Sequence, residues 1–147
     1  MLKNIDPLLT GELLDAMQTM GHGDDIVICD RNHPAATIAA QTTWGSLILV
    51  AGSTLPQLSK AMLSLFPLDT FVDAPITRMQ VVGKPKGTLV QAHHDMQAAA
   101  DAAEGRKVKI GSLERFAFYE AAKRSFAIVQ TSDPGPYGCF ILKKGVL

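Results

Sequence analysis

The chain has 147 residues, of which 47% are hydrophobic and 19% are charged. Its length favours one folded domain, residues 1–147, which can bury a core without disulfides or a structural metal. The 14 basic and 14 acidic side chains balance, which argues against a nucleic-acid-binding protein and against attraction to an anionic membrane.

Cysteine usage and hydropathy favour a soluble, cytoplasmic protein. The two cysteines, Cys29 and Cys139, each lie in an apolar run and form no Cys-x-x-Cys motif, so we expect buried, reduced thiols. The longest apolar run, 47–51, is far shorter than the roughly 20 residues that cross a bilayer. The amino-terminal sequence MLKNIDPLL contains no apolar segment typical of a secretory signal.

The first half of the chain predicts helices that alternate with short strands. Residues 11–20 place leucine and methionine at helical spacing, with Thr10 as the N-cap and Gly21 as the C′ residue. The next predicted elements are buried strands at 25–29 and 46–52, a helix at 54–65 and a strand at 76–82.

The second half predicts a polar helix at 88–104, a short edge-like strand at 107–110 and a helix at 113–124. Two apolar strands, 125–131 and 137–143, flank the turn DPGP, whose prolines and glycine stop any helix. Strands that alternate with helices predict a layered α/β domain. The short turn between the last two strands predicts a mixed, mostly buried sheet flanked by helices.

Two polar residues flank the first predicted strand. His22 lies between Gly21 and Gly23, which give the backbone unusual freedom. It either meets the negative end of the preceding helix or acts as a general acid or base. Asp30 follows the strand, where α/β folds tend to bind ligands, although an aspartate there also caps turns. An extended strand would hold His22 and Asp30 about 15–20 Å apart.

Other polar residues suggest a ligand site near the end of the chain. Arg115 and Tyr119 are spaced i, i+4 and share one helix face, which suits either a polyhydroxylated ligand or an Arg–Tyr stack. Tyr137 is either a core aromatic or a ligand-facing ring. The HHD run at 93–95 predicts no metal site, because neighbouring helical residues diverge by about 100° and neither histidine has a ligand at i+4.

Three stretches taken together are more specific than any single residue. They are LKNIDPLLTGELLDAMQTMGHGDDIVICDRNHPA (2–35), ERFAFYEAAKRSFAIVQT (114–131) and YGCFILKKGV (137–146). The set resembles the fucose mutarotase branch of the ribose pyranase / fucose mutarotase family. The RFAFYE motif points to the fucose branch, whereas residues 40–110 are less diagnostic.

The resemblance implies an isomerase that interconverts the α and β anomers of L-fucose without a metal or another cofactor. It implies a homo-oligomer, a decamer, with sites between subunits, and it makes His22 the proton donor and Tyr119 a further catalytic candidate. The residues that it places around the sugar are Asp30, Arg115, Tyr137, Gly138 and Cys139.

The chain departs from the family pattern at two positions. Cys139 stands where the family usually has asparagine, and His33 where it commonly has phenylalanine. At 139, a weakly donating thiol thus replaces an amide that would hydrogen-bond a sugar hydroxyl. Two alternatives remain open: a D-ribose pyranase, and a non-catalytic sugar-binding accessory of a transporter. Neither a nucleic acid nor a membrane is expected as a partner.

Overall fold

The computed structural model describes residues 2–147, which form five helices and six strands. The helices are α1 (Gly11–Thr19), α2 (Ala35–Ala39), α3 (Leu55–Leu63), α4 (Gln91–Glu104) and α5 (Arg115–Lys123). The strands are β1 (Asp25–Cys29), β2 (Leu47–Val50), β3 (Ile76–Met79), β4 (Ile110–Leu113), β5 (Ala127–Thr131) and β6 (Phe140–Lys143). No helix in this part of the chain has the length and apolarity to cross a membrane.

The strands form one mixed sheet in the order β2-β5-β1-β6-β3-β4. β1 and β2 each run parallel to β5, and β3 runs parallel to β4, whereas β6 is antiparallel to both of its neighbours. The mixed sheet is as predicted, but the last two strands are not neighbours, because β1 lies between them. The amino end of β6 therefore lies at the same edge of the sheet as the carboxyl ends of β1 and β3.

Helices cover both faces of the sheet, which confirms the layered α/β fold. Side chains of a strand point alternately to its two faces. In β1, Ile26 and Ile28 accordingly belong to the core under α1, α3 and α4, whereas Val27 and Cys29 belong to the core under α2 and α5. Cys29 and Cys139 are both buried and free, as expected.

The ends of α1 are held by side chains. Thr10 is the N-cap, and its hydroxyl oxygen accepts a backbone N–H three residues on. At the other end, Nζ of Lys144 donates to the carbonyls of Met17 and Met20, which places a positive charge at the negative end of the helix. Gly21 follows the C-cap residue Met20, but its φ is not in the left-handed region.

The edge strand β4 begins at Ile110, three residues later than the predicted strand at 107–110. Asp101, near the end of α4, accepts the backbone N–H of Val108 at 2.8 Å and pairs with Lys107 at 3.1 Å. These two contacts hold residues 107 and 108 against the helix, so pairing with β3 starts only at Ile110. The predicted edge position is correct.

Other boundaries differ for similarly local reasons. The predicted strand at 46–52 is present as β2, but it is the opposite edge strand and Leu49 is 55% exposed, so the prediction that it is fully buried was wrong. Leu113 belongs to β4 rather than to the predicted helix 113–124, because Glu114 is the N-cap of α5. α2 was not predicted, and its N-cap residue, Pro34, offers no side-chain hydrogen bond.

Replacement of Gly145 by alanine should destabilise the fold. A Cβ at this position would lie 2.5 Å from the carbonyl oxygen of Leu68 and 2.9 Å from Cα of Asp69, so the backbone must move. Overpacking of this kind costs about 1–3 kcal/mol, which urea denaturation measures. The control is Gly87→Ala, where a Cβ meets nothing within 4 Å. Equal midpoints for both variants would contradict the prediction.

Candidate active site

A cavity of about 390 Å³ opens at the edge of the sheet where β1 and β3 end and β6 begins. This volume falls within the roughly 300–1,000 Å³ of small-molecule sites. Five of the seven residues predicted for the site line it: Asp30, Arg115, Tyr119, Tyr137 and Cys139. The antiparallel insertion of β6 brings these residues together from three separate segments of the chain.

Gly138 contributes through its backbone. Its N–H donates to Oδ2 of Asp30 at 2.9 Å. A Cβ at this position would lie 3.1 Å from Leu55 and 3.4 Å from Cβ of Asp30, so only glycine lets the start of β6 approach this closely without displacing a neighbour.

The carboxylate of Asp30 is held firmly at the end of β1. Oδ1 accepts the backbone N–H of Asn32 at 2.8 Å, and Oδ2 accepts the thiol of Cys139 at 3.5 Å as well as the N–H of Gly138. The residue is only 2% exposed. Asp30 therefore caps the turn after β1 and also lines the cavity.

Arg115 supplies a positive charge at the first turn of α5. Within residues 2–147, no carboxylate lies within 4 Å of its guanidinium, and its buried Nε has no hydrogen-bond partner. The guanidinium carbon lies 4.5 Å from the centre of the Phe116 ring, so the stacking partner is Phe116 and not Tyr119. Arg115 therefore lines the cavity with no carboxylate among the described residues to compete for its terminal nitrogens.

Two tyrosines contribute phenol groups to the same wall. Burial raises the pKa of Tyr119, although the nearby charge of Arg115 acts in the opposite direction, so this hydroxyl keeps its proton at neutral pH. Tyr137 has a φ of 60°, which is uncommon for a residue with a side chain. Its hydroxyl accepts the backbone N–H of Val82 at 3.1 Å, and this bond ties the loop after β3 to the rim of the cavity.

His33 and Cys139 form a buried pair beside Asp30. Nδ1 of His33 lies 3.5 Å from Sγ of Cys139. Burial lowers the pKa of His33 to about 4, and burial followed by the charge of Asp30 raises the pKa of the Cys139 thiol. At neutral pH the imidazole is therefore neutral and the thiol is protonated.

Buried histidines should make the fold sensitive to acid. The pKa of His33 and that of His93 are each about 4 in the folded protein, in both cases chiefly because of burial, against about 6.5 in an unfolded chain. Between these values the unfolded chain binds more protons, so the stability that is present above pH 6.5 is lost as the pH falls towards 4.

The size of this effect can be tested with His33→Phe, which should reduce the loss of stability between pH 7.5 and 4.5 by about 2–3 kcal/mol. Urea denaturation at the two pH values measures the difference. At pH 7.5 His33 is neutral in both the folded and the unfolded protein. The difference between the free energies of unfolding of variant and parent at this pH therefore gives the effect of packing alone. The same dependence on pH in the variant and the parent would refute the assignment.

His22 lies away from the cavity, at the amino end of β1. Its side chain is 44% exposed, and Nε2 lies 3.2 Å from Oδ1 of Asp69. The ring also contacts Phe71, with centroids 5.2 Å apart. His22 is not the residue that caps α1, because Lys144 binds the carbonyls there. The loop does not fold back, so one chain does not bring His22 and Asp30 to one small ligand.

The family model described as "RbsD / FucU transport protein family" matches residues 3–147. The chain belongs to the RbsD/FucU family. Human fucose mutarotase is 41% identical over 149 residues, which cover 99% of this chain and 94% of that protein.

Two solved structures with the same fold are complexes with a sugar. The fucose mutarotase of Streptococcus pneumoniae in complex with L-fucose is 35% identical, with a TM-score of 0.88 and 99% coverage of both chains. RbsD of Bacillus subtilis complexed with D-ribose is 18% identical, with a TM-score of 0.75, and covers 100% of this chain and 99% of that one. The second likeness shows the fold alone.

The sequence did not identify five other residues of the cavity wall, which are Asn32, His33, Met79, Val82 and Pro136. The sequence marks His33 as a departure from the family pattern but does not assign it to the site, and Asn32 and Pro136 lie in turns beside predicted site residues. Met79 and Val82 fall in the least diagnostic part of the chain. The one available signal was the predicted strand at 76–82, whose carboxyl end is a common location for ligand sites.

Proposed function

We propose that the protein is an L-fucose mutarotase, an isomerase that interconverts the α and β anomers of the free sugar. The observation that carries the proposal is the cavity, which joins a carboxylate, a guanidinium and two phenols in a space that suits a monosaccharide. Such groups are the hydrogen-bonding partners of a polyhydroxylated ring. The chain is more similar in sequence to the fucose mutarotases, at 41% and 35% identity, than to the D-ribose-bound RbsD, at 18%, which favours L-fucose over D-ribose.

The chemistry requires two proton transfers. Opening the ring delivers a proton to the ring oxygen while another leaves the anomeric hydroxyl, and closure on the other face of the aldehyde reverses both transfers. A positioned acid or base typically contributes about 10²–10⁴-fold. A rate acceleration of this size is sufficient for a reaction that already proceeds in water.

The residues of the cavity suit the positioning of the sugar. Asp30 accepts hydrogen bonds from sugar hydroxyls, and Arg115 donates to sugar oxygens, so that together they orient the ring. Tyr119 keeps its proton at neutral pH and can donate it within the cavity, which suits the catalytic role expected for it. Tyr137 and Cys139 complete the wall at the start of β6.

The second catalytic group, His22, is proposed to come from a neighbouring subunit. Its exposed imidazole is oriented by Asp69 and lies beside Phe71, which is 74% exposed. An exposed aromatic next to a held imidazole suits a surface that another chain covers. The complete enzyme is then a homo-oligomer, and a decamer is the form that the family resemblance implies. A cytoplasmic location is part of the proposal, since both cysteines are unpaired thiols.

Magnetisation transfer between the anomeric protons of L-fucose tests this function directly. At a trace concentration of the protein, saturation of the α signal should reduce the β signal more than it does in buffer. D-Ribose, tested beside it, should show weaker transfer. A protein without transfer to either sugar, although folded and oligomeric, would contradict the proposal. Transfer with ribose alone would favour the pyranase.

The non-catalytic alternative predicts a different dependence on concentration. A sugar-binding accessory shifts the population of anomers in proportion to the amount of protein, whereas an enzyme accelerates exchange at trace concentration. In both cases the sugar binds in the same cavity. The feature that favours the enzyme is the availability of two proton-carrying side chains, Tyr119 and His22.

A further inference from the structure

The two positions at which the chain departs from the family pattern contact each other. Nδ1 of His33 lies 3.5 Å from Sγ of Cys139, and this sulfur lies 3.5 Å from Oδ2 of Asp30. All three residues are buried, with at most 6% exposure. A chain of hydrogen bonds therefore runs from the imidazole, through the thiol, to the carboxylate in the cavity.

The direction of these bonds follows from the protonation states. The thiol of Cys139 donates to Oδ2 of Asp30, and this bond uses its single hydrogen. The neutral imidazole then donates from Nδ1 to the sulfur, which selects one tautomer of His33. In this tautomer Nε2 carries no proton, and within residues 2–147 this buried atom has no hydrogen-bond partner.

The imidazole itself is held in place by aromatic neighbours. Its ring meets that of Phe118 edge-on, with centroids 5.8 Å apart, and that of Tyr119 in the same manner at 5.3 Å. Phe118 is fully buried in α5. His33 thus has a fixed orientation, and it contacts two residues that line the cavity, Cys139 and Tyr119.

We propose that His33 is a positioning residue, which acts through the thiol of Cys139 to hold the carboxylate of Asp30 in its sugar-binding orientation. Because Nδ1 of His33 donates to the sulfur, it cannot accept the thiol hydrogen. Oδ2 of Asp30 then remains as the acceptor for that hydrogen. Without that donor the thiol can rotate away, and Asp30 loses one of its three hydrogen bonds. The effect on catalysis rests on the proposed function, whereas the effect on Asp30 does not.

Three substitutions of His33 separate the roles of its two ring nitrogens. Asparagine places an amide near the position of Nδ1, glutamine places one near Nε2, and phenylalanine keeps only the ring. For L-fucose exchange, His33→Phe and His33→Gln should lower kcat/KM by about 3–10-fold, as expected for one hydrogen bond. His33→Asn should stay within about twofold of the parent protein. Activity that survives in the glutamine variant but not in the asparagine variant would overturn the proposal.

A double-mutant cycle tests whether the effect passes through the thiol. In a Cys139→Ala background, His33→Phe should change kcat/KM by less than about twofold, because the connection to Asp30 is already broken. An equal loss in both backgrounds would show that His33 acts independently of Cys139 and would refute the inference.

The free protein provides a readout that needs no activity. The carboxyl ¹³C resonance of Asp30 should shift in His33→Phe and in Cys139→Ala, but much less in His33→Asn. If the parent protein exchanges no fucose and the Asp30 resonance still responds in this pattern, the proposed function fails while the positioning role holds. An Asp30 resonance that is unchanged in a folded His33→Phe protein overturns the positioning role itself.

Discussion

Replacement of His22 by glutamine is expected to lower the protein-dependent exchange of L-fucose anomers by about 10²–10⁴-fold, the usual contribution of one acid or base. Glutamine keeps a polar group of similar reach, but it carries no transferable proton at neutral pH. The fold should survive, because the His22 side chain is 44% exposed and lies beside Phe71, which is itself 74% exposed. Saturation transfer at several protein concentrations measures the rate.

The matched control for this variant is His94→Gln. His94 is an exposed histidine on α4 and does not line the cavity, so its replacement should leave exchange unchanged. If His22→Gln retained activity within a few-fold while remaining folded, the proton-transfer role would have to move to another group. Tyr119 would then be the first residue to examine.

Mixing two impaired variants, His22→Gln and Arg115→Met, should restore activity. Because His22 and the cavity lie at opposite ends of β1, a complete site takes His22 from one subunit and the cavity from another. Arg115→Met is expected to lower exchange by about 10–100-fold through loss of a charged hydrogen bond, and His22→Gln is inactive for the reason given above. When the two are refolded together at equal amounts, about one quarter of the sites combine an intact His22 with an intact cavity. Exchange should recover to about one quarter of that of the parent protein.

Each variant carried separately through the same refolding is the control for this experiment. Native mass spectrometry establishes that mixed oligomers have formed. Mixed oligomers that remain as inactive as the separate variants would show that His22 and the cavity do not meet between subunits. A fully active monomer at high dilution would lead to the same conclusion.

The sequence predicted those parts of the site that depend on a single strand and its ends. The strand at 25–29 is as predicted. Asp30 comes directly after it, at the point where the buried apolar run ends and a turn begins. The spacing of Arg115 and Tyr119 likewise predicted one shared helix face, and both line the cavity. Local periodicity is sufficient for such statements.

Contacts between distant segments could not be predicted from periodicity. The partner of His22 is Asp69, 47 residues further along the chain, and nothing in the local pattern around 69 marks it. In the same way, Lys107 and Val108 alternate as a strand would, but their contacts with Asp101 keep them out of the sheet. An apolar run such as LILV also does not distinguish the edge of a sheet from its centre.

The position of β6 has a consequence for biosynthesis. This last strand of the chain lies between β1 and β3, so until it has been synthesised the remaining strands form two separate groups, β2-β5-β1 and β3-β4. The nascent chain therefore exposes unpaired strand edges until β6 has left the ribosome, and the sheet closes only afterwards. Deletion of residues 138–147 would remove the strand that joins the two groups, together with Cys139 of the cavity wall.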